Sequence, residues 1–166
     1  MASRPLVEGT VARGHLRVDT AFYQGKADGR DIESFPLAKV AEKLRLEGDE
    51  TSQLRHILAR GQERFNIFCA PCHGRAGQGD GMVVKRGFPA PPTFHSQRLR
   101  ESPVGHFYDV ATLGFGRMPS YADQIPPADR WTIVAYVRAL QLSQHADVDR
   151  LPTVDRQRLE EGKQAP

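Results

Sequence analysis

Cysteine is scarce in this chain of 166 residues, which contains two of them, at positions 69 and 72. A single close pair excludes a framework of several disulfides and a four-thiolate metal cluster. Long apolar runs are also missing, so we expect no transmembrane segment in this sequence. The formal charge is only +3, with basic residues spread along the chain, and this pattern is that of a solvated surface rather than of a nucleic-acid binder.

Both cysteines lie in the pentapeptide Cys69-Ala70-Pro71-Cys72-His73. The pattern Cys-x-x-Cys-His is the site at which one haem c is attached covalently, through two thioether bonds. The histidine of such a motif becomes the proximal iron ligand. We therefore predict a haem held by Cys69 and Cys72, with His73 on the iron.

Two other readings of the pentapeptide are open. A redox-active Cys-x-x-Cys requires a βαβ setting, in which the motif opens a helix after a strand, and the surrounding pattern does not predict one. A zinc site requires further ligands. His95 and His106 could complete such a set, although their spacing is not that of a zinc finger.

The segment before the motif predicts an amphipathic helix from Leu54 to Phe68 that runs directly into the attachment site. Gly61 lies inside this helix, where glycine is unfavourable by about 1 kcal/mol relative to alanine. A second helix that crosses closely would explain it. The pattern Gly61-x-x-x-Phe65, followed by the motif and later by Ile133-x-x-Tyr136, resembles the paired terminal helices of class I cytochromes c.

The resemblance also suggests further contacts of the haem. Met118, in the glycine-rich stretch Gly114 to Tyr121, matches the Met-Pro loop of these cytochromes and would be the sixth iron ligand, whereas Met82 would fill the core. A bis-histidine iron, with His95 or His106, is the alternative. The carbonyl of Pro92 would accept a hydrogen bond from His73.

The haem propionates need hydrogen-bond donors or cations. Four residues near the predicted pocket have the right chemistry: Tyr121, Trp131, Arg86 and Arg117. The sequence does not choose among them.

Helical patterns dominate the chain, and we predict an all-α protein with a class I cytochrome c fold and an extended N-terminal arm. Residues 1–50 would form the arm, largely extended with one short helix from Pro36 to Gly48, and residues 51–142 the monohaem cytochrome c domain. A third core helix would begin with Ser102 as N-cap and end at Gly114. Residues 143–166 would form a polar tail with a frayed helix around Val154 to Glu161.

A closer resemblance covers the region from about Val7 to Gln144 and is to the monohaem cytochrome c subunit of bacterial alternative complex III. It rests on five stretches: Phe22 to Lys26, Arg60 to Cys69, Gly81 to His95, Pro103 to Phe107 and Met118 to Tyr121. The resemblance implies a subunit of a quinol-oxidising membrane complex that passes electrons toward a terminal oxidase or a soluble carrier. Apolar residues of the arm would wrap over the core or pack against a partner subunit.

Members of that family act on the periplasmic side of the bacterial inner membrane and are commonly held there by a lipid on an N-terminal cysteine. The printed sequence has no cysteine before Cys69, and Met1 to Pro5 is not a signal peptide. We expect the native protein to be exported, and lipid anchoring through a segment absent here stays an open alternative. Two other functions also stay open: a free-standing periplasmic shuttle, and a haem enzyme or gas sensor with an exchangeable distal ligand.

Overall fold

The computed structural model describes residue 7, residues 9–11 and residues 16–163. The remainder of the predicted N-terminal arm, with Met1 to Pro5, and the last three residues of the tail lie outside the described residues. Secondary structure in the described part is helical apart from one short hairpin, so the all-α prediction is confirmed. The chain forms two compact units, one from residues up to Leu46 together with Pro103–Trp131, the other from Glu47–Ser102 and the residues from Thr132 on.

The first unit begins with helix α1 (Thr20–Gln24), strands β1 (Lys26–Ala27) and β2 (Arg30–Asp31), and helix α2 (Leu37–Leu44). The strands pair antiparallel, with Lys26 opposite Asp31. Asp28 and Gly29 form the turn and both have positive φ, 49° and 74°, as the two-residue loop of a tight hairpin requires. The arm thus contains two helices and a hairpin, rather than the single helix that the sequence pattern predicts.

Two helix ends in this unit differ from the prediction by a few residues. Helix α2 ends at Arg45, its C-cap, which adopts the left-handed conformation with φ 54°. The Arg45 N–H donates to the carbonyls of Ala41 and Glu42. The helix therefore ends three residues before Gly48, the predicted end. Helix α7 (Val104–Leu113) has Pro103 as its N-cap. Ser102 is not the cap, because its hydroxyl donates to the Arg98 carbonyl at 2.8 Å. Gly114 does end the helix, with φ 82°.

The second unit contains helices α3 (Glu50–Phe68), α4 (Ala70–His73), α5 (Met82–Lys85), α6 (Gln97–Glu101) and α9 (Thr153–Lys163). It also contains helix α8 (Pro127–Gln144) from Thr132 onward. Asp49 caps the start of α3 by accepting from the Ser52 N–H at 2.8 Å. In α9 the structure contains the helix that was expected in the tail.

Helices α3 and α8 contact each other at Gly61. A Cβ on Gly61 would overlap the carbonyl oxygen of Thr132 and lie 3.0 Å from the Cβ of Tyr136. The Phe65 ring packs edge-on against Tyr136, with ring centroids 5.3 Å apart. The predicted close crossing is therefore confirmed. It packs the C-terminal part of α3, which leads into the motif, against α8.

Candidate haem-attachment site

The three residues of the attachment motif come together in one helical turn. Cys69 ends α3, and its carbonyl accepts from the N–H groups of Cys72, at 3.1 Å, and of His73, at 2.8 Å. Gly74 then reverses the chain with φ 74°. The local hydrogen bonds of this turn thus place the three residues of the motif within one helical turn at the end of α3.

The Cys69 thiol is suited to a thioether bond and poorly suited to thiolate chemistry. Burial raises the pKa of the Cys69 thiol to about 12, and the neighbouring Cys72 adds to the effect. Redox-active Cys-x-x-Cys motifs need the opposite, a pKa lowered by a helix N-terminus or a nearby cation. A thioether is uncharged, so burial imposes no such penalty on it. The redox reading of the motif is disfavoured.

A zinc site has no ligand set in the described part of the chain, where no three His, Cys, Asp or Glu side chains come together in a suitable group. His95 is occupied otherwise, since its Nε2 donates to the Ala76 carbonyl at 2.7 Å.

His73 is held in the form that binds iron. Burial lowers the pKa of its imidazole to about 4, so the ring is neutral at physiological pH, as a metal ligand must be. Its Nδ1 is buried and has no hydrogen-bond partner among the described residues. A neutral imidazole in the same helical turn as two free thiols fits a covalently attached haem.

The hydrogen bond predicted from His73 to Pro92 is not present, and this part of the prediction is wrong for the structure. Pro92 is exposed, and the neighbouring carbonyl of Pro91 lies against Gly79, where a Cβ would overlap it. The imidazole instead stacks on the ring of Phe94, with centroids 4.6 Å apart and planes 12° from parallel.

Met118, the predicted sixth ligand, is half-buried in the first unit. It closes a tight turn with Phe115, in which the Phe115 N–H donates to the Met118 carbonyl at 3.0 Å and the Met118 N–H donates back at 2.9 Å. Gly116 provides the positive φ of 58° inside the turn. The methionine therefore sits on a defined loop, and its bond to iron stays a prediction. Met82 is 58% exposed, so it does not fill the core as expected.

Three of the residues predicted to hold the propionates are compatible with that role. Arg86 is exposed at the end of α5, and Arg117 is exposed in the turn that carries Met118. Tyr121 is half-buried, and its N–H donates to the Ala111 carbonyl at 3.1 Å. Their contacts with a propionate stay predictions.

Trp131 does not fit its predicted role as a propionate ligand. Its side chain is fully buried in the first unit, and its indole N–H donates to the Phe22 carbonyl at 2.7 Å. An indole has one donor, so none is left for a propionate. Trp131 also stacks on Tyr108, with centroids 4.3 Å apart. In this structure its indole binds the N-terminal arm through the carbonyl of Phe22.

The residue before Trp131, Arg130, is a buried cation that the sequence analysis did not single out. Arg130 is 1% exposed, and one guanidinium nitrogen donates to the Tyr108 hydroxyl at 3.3 Å. Its Nε and second terminal nitrogen have no partner among the described residues, and burial lowers the pKa of this guanidinium. The available signal was its spacing, since Arg130 lies on the same helical stripe as Val134 and Val137.

One family model agrees with a cytochrome c domain at this site. The family described as "Cytochrome C oxidase, cbb3-type, subunit III" matches residues 57–137, slightly less than half of the chain. No curated protein matches. Among solved structures, a chain of the Kuenenia stuttgartiensis reducing HAO-like protein complex is 27% identical, with a TM-score of 0.45, over 51% of this chain and 44% of that one.

The motif, the crossing helices and the family match together define a c-type cytochrome. More particularly, its haem domain has the class I cytochrome c fold and is similar to that of subunit III of cbb3-type oxidases. Such a domain implies a haem c attached through Cys69 and Cys72. When bound, this haem would supply an iron that gains and loses one electron. The chain keeps His73 neutral and has its two attachment residues just after α3, with Cys69 as the C-cap of that helix and Cys72 in α4, an arrangement that fits electron transfer.

Proposed function

We propose that this chain is the monohaem relay subunit of a quinol-oxidising alternative complex III, with His73 and Met118 on the iron. It receives electrons from other redox subunits and passes them to a terminal oxidase or a soluble carrier. The protein works on the periplasmic side of the bacterial inner membrane. The proposal extends the electron transfer that the cytochrome c domain supports.

The observation that carries the proposal is the environment of His73. A buried, neutral imidazole is a stable iron ligand, and a methionine thioether opposite it favours ferrous iron and raises the reduction potential. An iron with both axial positions filled passes electrons and leaves no position for a substrate. Met118 lies on a defined, hydrogen-bonded turn, and its bond to the iron is the part of the proposal that the spectrum below tests.

The N-terminal arm supports the place in a complex. Phe22 is 1% exposed and packs within the chain, so part of the arm does cover the protein's own core. Four other apolar residues of the arm are between 56% and 75% exposed: Val7, Val11, Leu16 and Val18. These side chains are available for contact with a partner subunit. No helix in the described part of the chain has the length and apolarity to cross a membrane.

A visible spectrum of the haem-loaded protein tests the ligands. We expect a low-spin haem c, a sulfur-to-iron charge-transfer band in the oxidised form and no binding of carbon monoxide to the reduced form. Met118→Leu should abolish the band and admit carbon monoxide, whereas Met82→Leu, the same change at an exposed methionine, should do neither. Carbon monoxide binding to the unaltered protein would contradict the closed site and favour a haem enzyme or gas sensor.

Fractionation of the native host tests the partners. A relay subunit should co-purify with membranes and with quinol-oxidising activity after mild detergent extraction. Recovery of the cytochrome in the periplasmic fraction, free of other redox subunits, would favour the free-standing shuttle instead.

A further inference from the structure

The imidazole of His73 lacks the contact that usually orients a metal-bound histidine. Such histidines almost always donate the second ring N–H to a carbonyl, a carboxylate or water, and that bond sets the plane of the ring. Here Nδ1 is buried without a partner among the described residues. What lies against the ring is Phe94, parallel to within 12° at a centroid distance of 4.6 Å.

Both main-chain polar groups of Phe94 make hydrogen bonds. Its N–H donates to the Gly77 carbonyl at 2.9 Å, in the loop that follows His73. Its carbonyl accepts from the side-chain amide of Gln141 on α8 at 2.8 Å, and Gln141 is 5% exposed. The residue is thus fixed to two different parts of the second unit.

The side chain of Phe94 is confined as well. Its ring contacts Phe65 of α3, with centroids 6.1 Å apart. A Cβ on Gly77 would lie 2.8 Å from Phe94 Cδ2, so the chain passes this ring as closely as a glycine allows. With its main chain bonded and its ring packed on α3, Phe94 is a rigid surface for the imidazole.

We propose that Phe94 is the positioning residue of the axial ligand, and that ring stacking, in place of a hydrogen bond to a carbonyl, sets the plane of the His73 imidazole. The inference rests on the proposed function in one respect, that His73 binds the haem iron. A ligand oriented in this way keeps a fixed plane, while its Nδ1–H makes no bond that would increase its basicity.

The test uses the full chain with its haem and compares Phe94→Leu, Phe94→Tyr and Phe35→Leu. Leucine keeps an apolar side chain but cannot stack, whereas tyrosine restores the ring. Phe35 is the matched control, a half-buried phenylalanine whose ring lies edge-on against Trp131 at 5.8 Å. The readouts are the g values of the oxidised haem and the order of its methyl resonances, since both depend on the plane of the axial imidazole.

We expect Phe94→Leu to change the order of the methyl resonances and to broaden the g signal, and Phe94→Tyr to return both to the pattern of the unaltered protein. Phe35→Leu should leave both unchanged. The inference is overturned if Phe94→Leu has the unaltered pattern, if leucine and tyrosine shift it equally, or if Phe35→Leu shifts it as much.

A measurement on the unaltered protein covers the case in which Phe94→Leu does not fold. In the reduced, diamagnetic form, nuclear Overhauser effects should connect the Phe94 ring protons with those of the His73 imidazole, and their absence would overturn the inference. The proposed function fails separately, if the unaltered protein carries no histidine-ligated haem. An unaltered protein with that ligation and an unresponsive Phe94→Leu variant would overturn only the present inference.

Discussion

Replacing Gly61 with alanine should destabilise the protein, although alanine is the better helix former. Gly61 lies inside α3, where its missing side chain leaves room for the main chain of α8. The new methyl group would overlap the carbonyl oxygen of Thr132 and press on Tyr136. Two effects of opposite sign therefore compete at this position.

The magnitudes decide between them. Alanine gains about 1 kcal/mol over glycine in a helix interior. Overpacking of a filled contact is unfavourable by about 1–3 kcal/mol, and the upper end applies because the clash is with main-chain atoms, which cannot rotate aside. We expect Gly61→Ala to lower the free energy of unfolding by about 2 kcal/mol, a change of about 30-fold in the unfolding equilibrium. The corresponding fall in Tm is about 4–8 °C for a chain of this size.

Guanidinium unfolding of the haem-loaded protein, followed by far-ultraviolet circular dichroism, measures the effect. Ala59→Gly is the reciprocal control, two residues earlier on the exposed side of the same helix. It should lower stability by about 1 kcal/mol through helix propensity alone. A Gly61→Ala protein as stable as the unaltered one, beside the expected loss in Ala59→Gly, would refute the close crossing of α3 and α8.

Three further predictions concern the attachment site and the arm. Trp131→Phe removes the donor to the buried Phe22 carbonyl and should reduce the free energy of unfolding by about 1–3 kcal/mol; an unchanged thermal transition would contradict that bond. Because burial lowers the pKa of His73 from 6.5 to about 4, the unfolded chain takes up a proton between these values that the folded chain does not. In the haem-free chain, where no iron holds the imidazole, His73 should therefore lower stability as pH falls from 6.5 to about 4, by at most about 1.4 kcal/mol per pH unit; a denaturant midpoint that rises between pH 6.5 and 5 would oppose this. Replacing both Cys69 and Cys72 by serine should leave no haem staining in a denaturing gel, and residual staining would argue against thioether attachment.

Much of the site was predictable because its determinants are local. The attachment motif contains its two cysteines and its histidine within five residues, and one helical turn is enough to bring them together. Gly61 was informative for a similar reason, since glycine inside a helix has a known penalty and implies a close neighbour. Helix ends were predicted to within a few residues. Their exact positions depend on caps that several residues compete for, as at Ser102 and Pro103.

Contacts between distant parts of the chain were not predictable in this way. The indole of Trp131 had the right chemistry for a propionate, but its single donor is taken by the carbonyl of Phe22, a partner 109 positions away. The carbonyl predicted to orient His73 belongs to an exposed proline, and an aromatic ring lies against the imidazole in its stead. In both cases several residues of suitable chemistry were available, and the fold selected one.

The sequence by itself predicted the chemistry of this protein, a covalent haem c with a histidine ligand, and it determined a helix with room for a second one to cross. These follow from residue types at short spacing, where covalent geometry and helix periodicity leave few alternatives. Only the tertiary structure decided that Trp131 fastens the arm, that Arg130 is buried and that Phe94 supports His73. The reason is that one donor or one ring face can serve a single neighbour, and which neighbour arrives is decided by the packing of the whole unit.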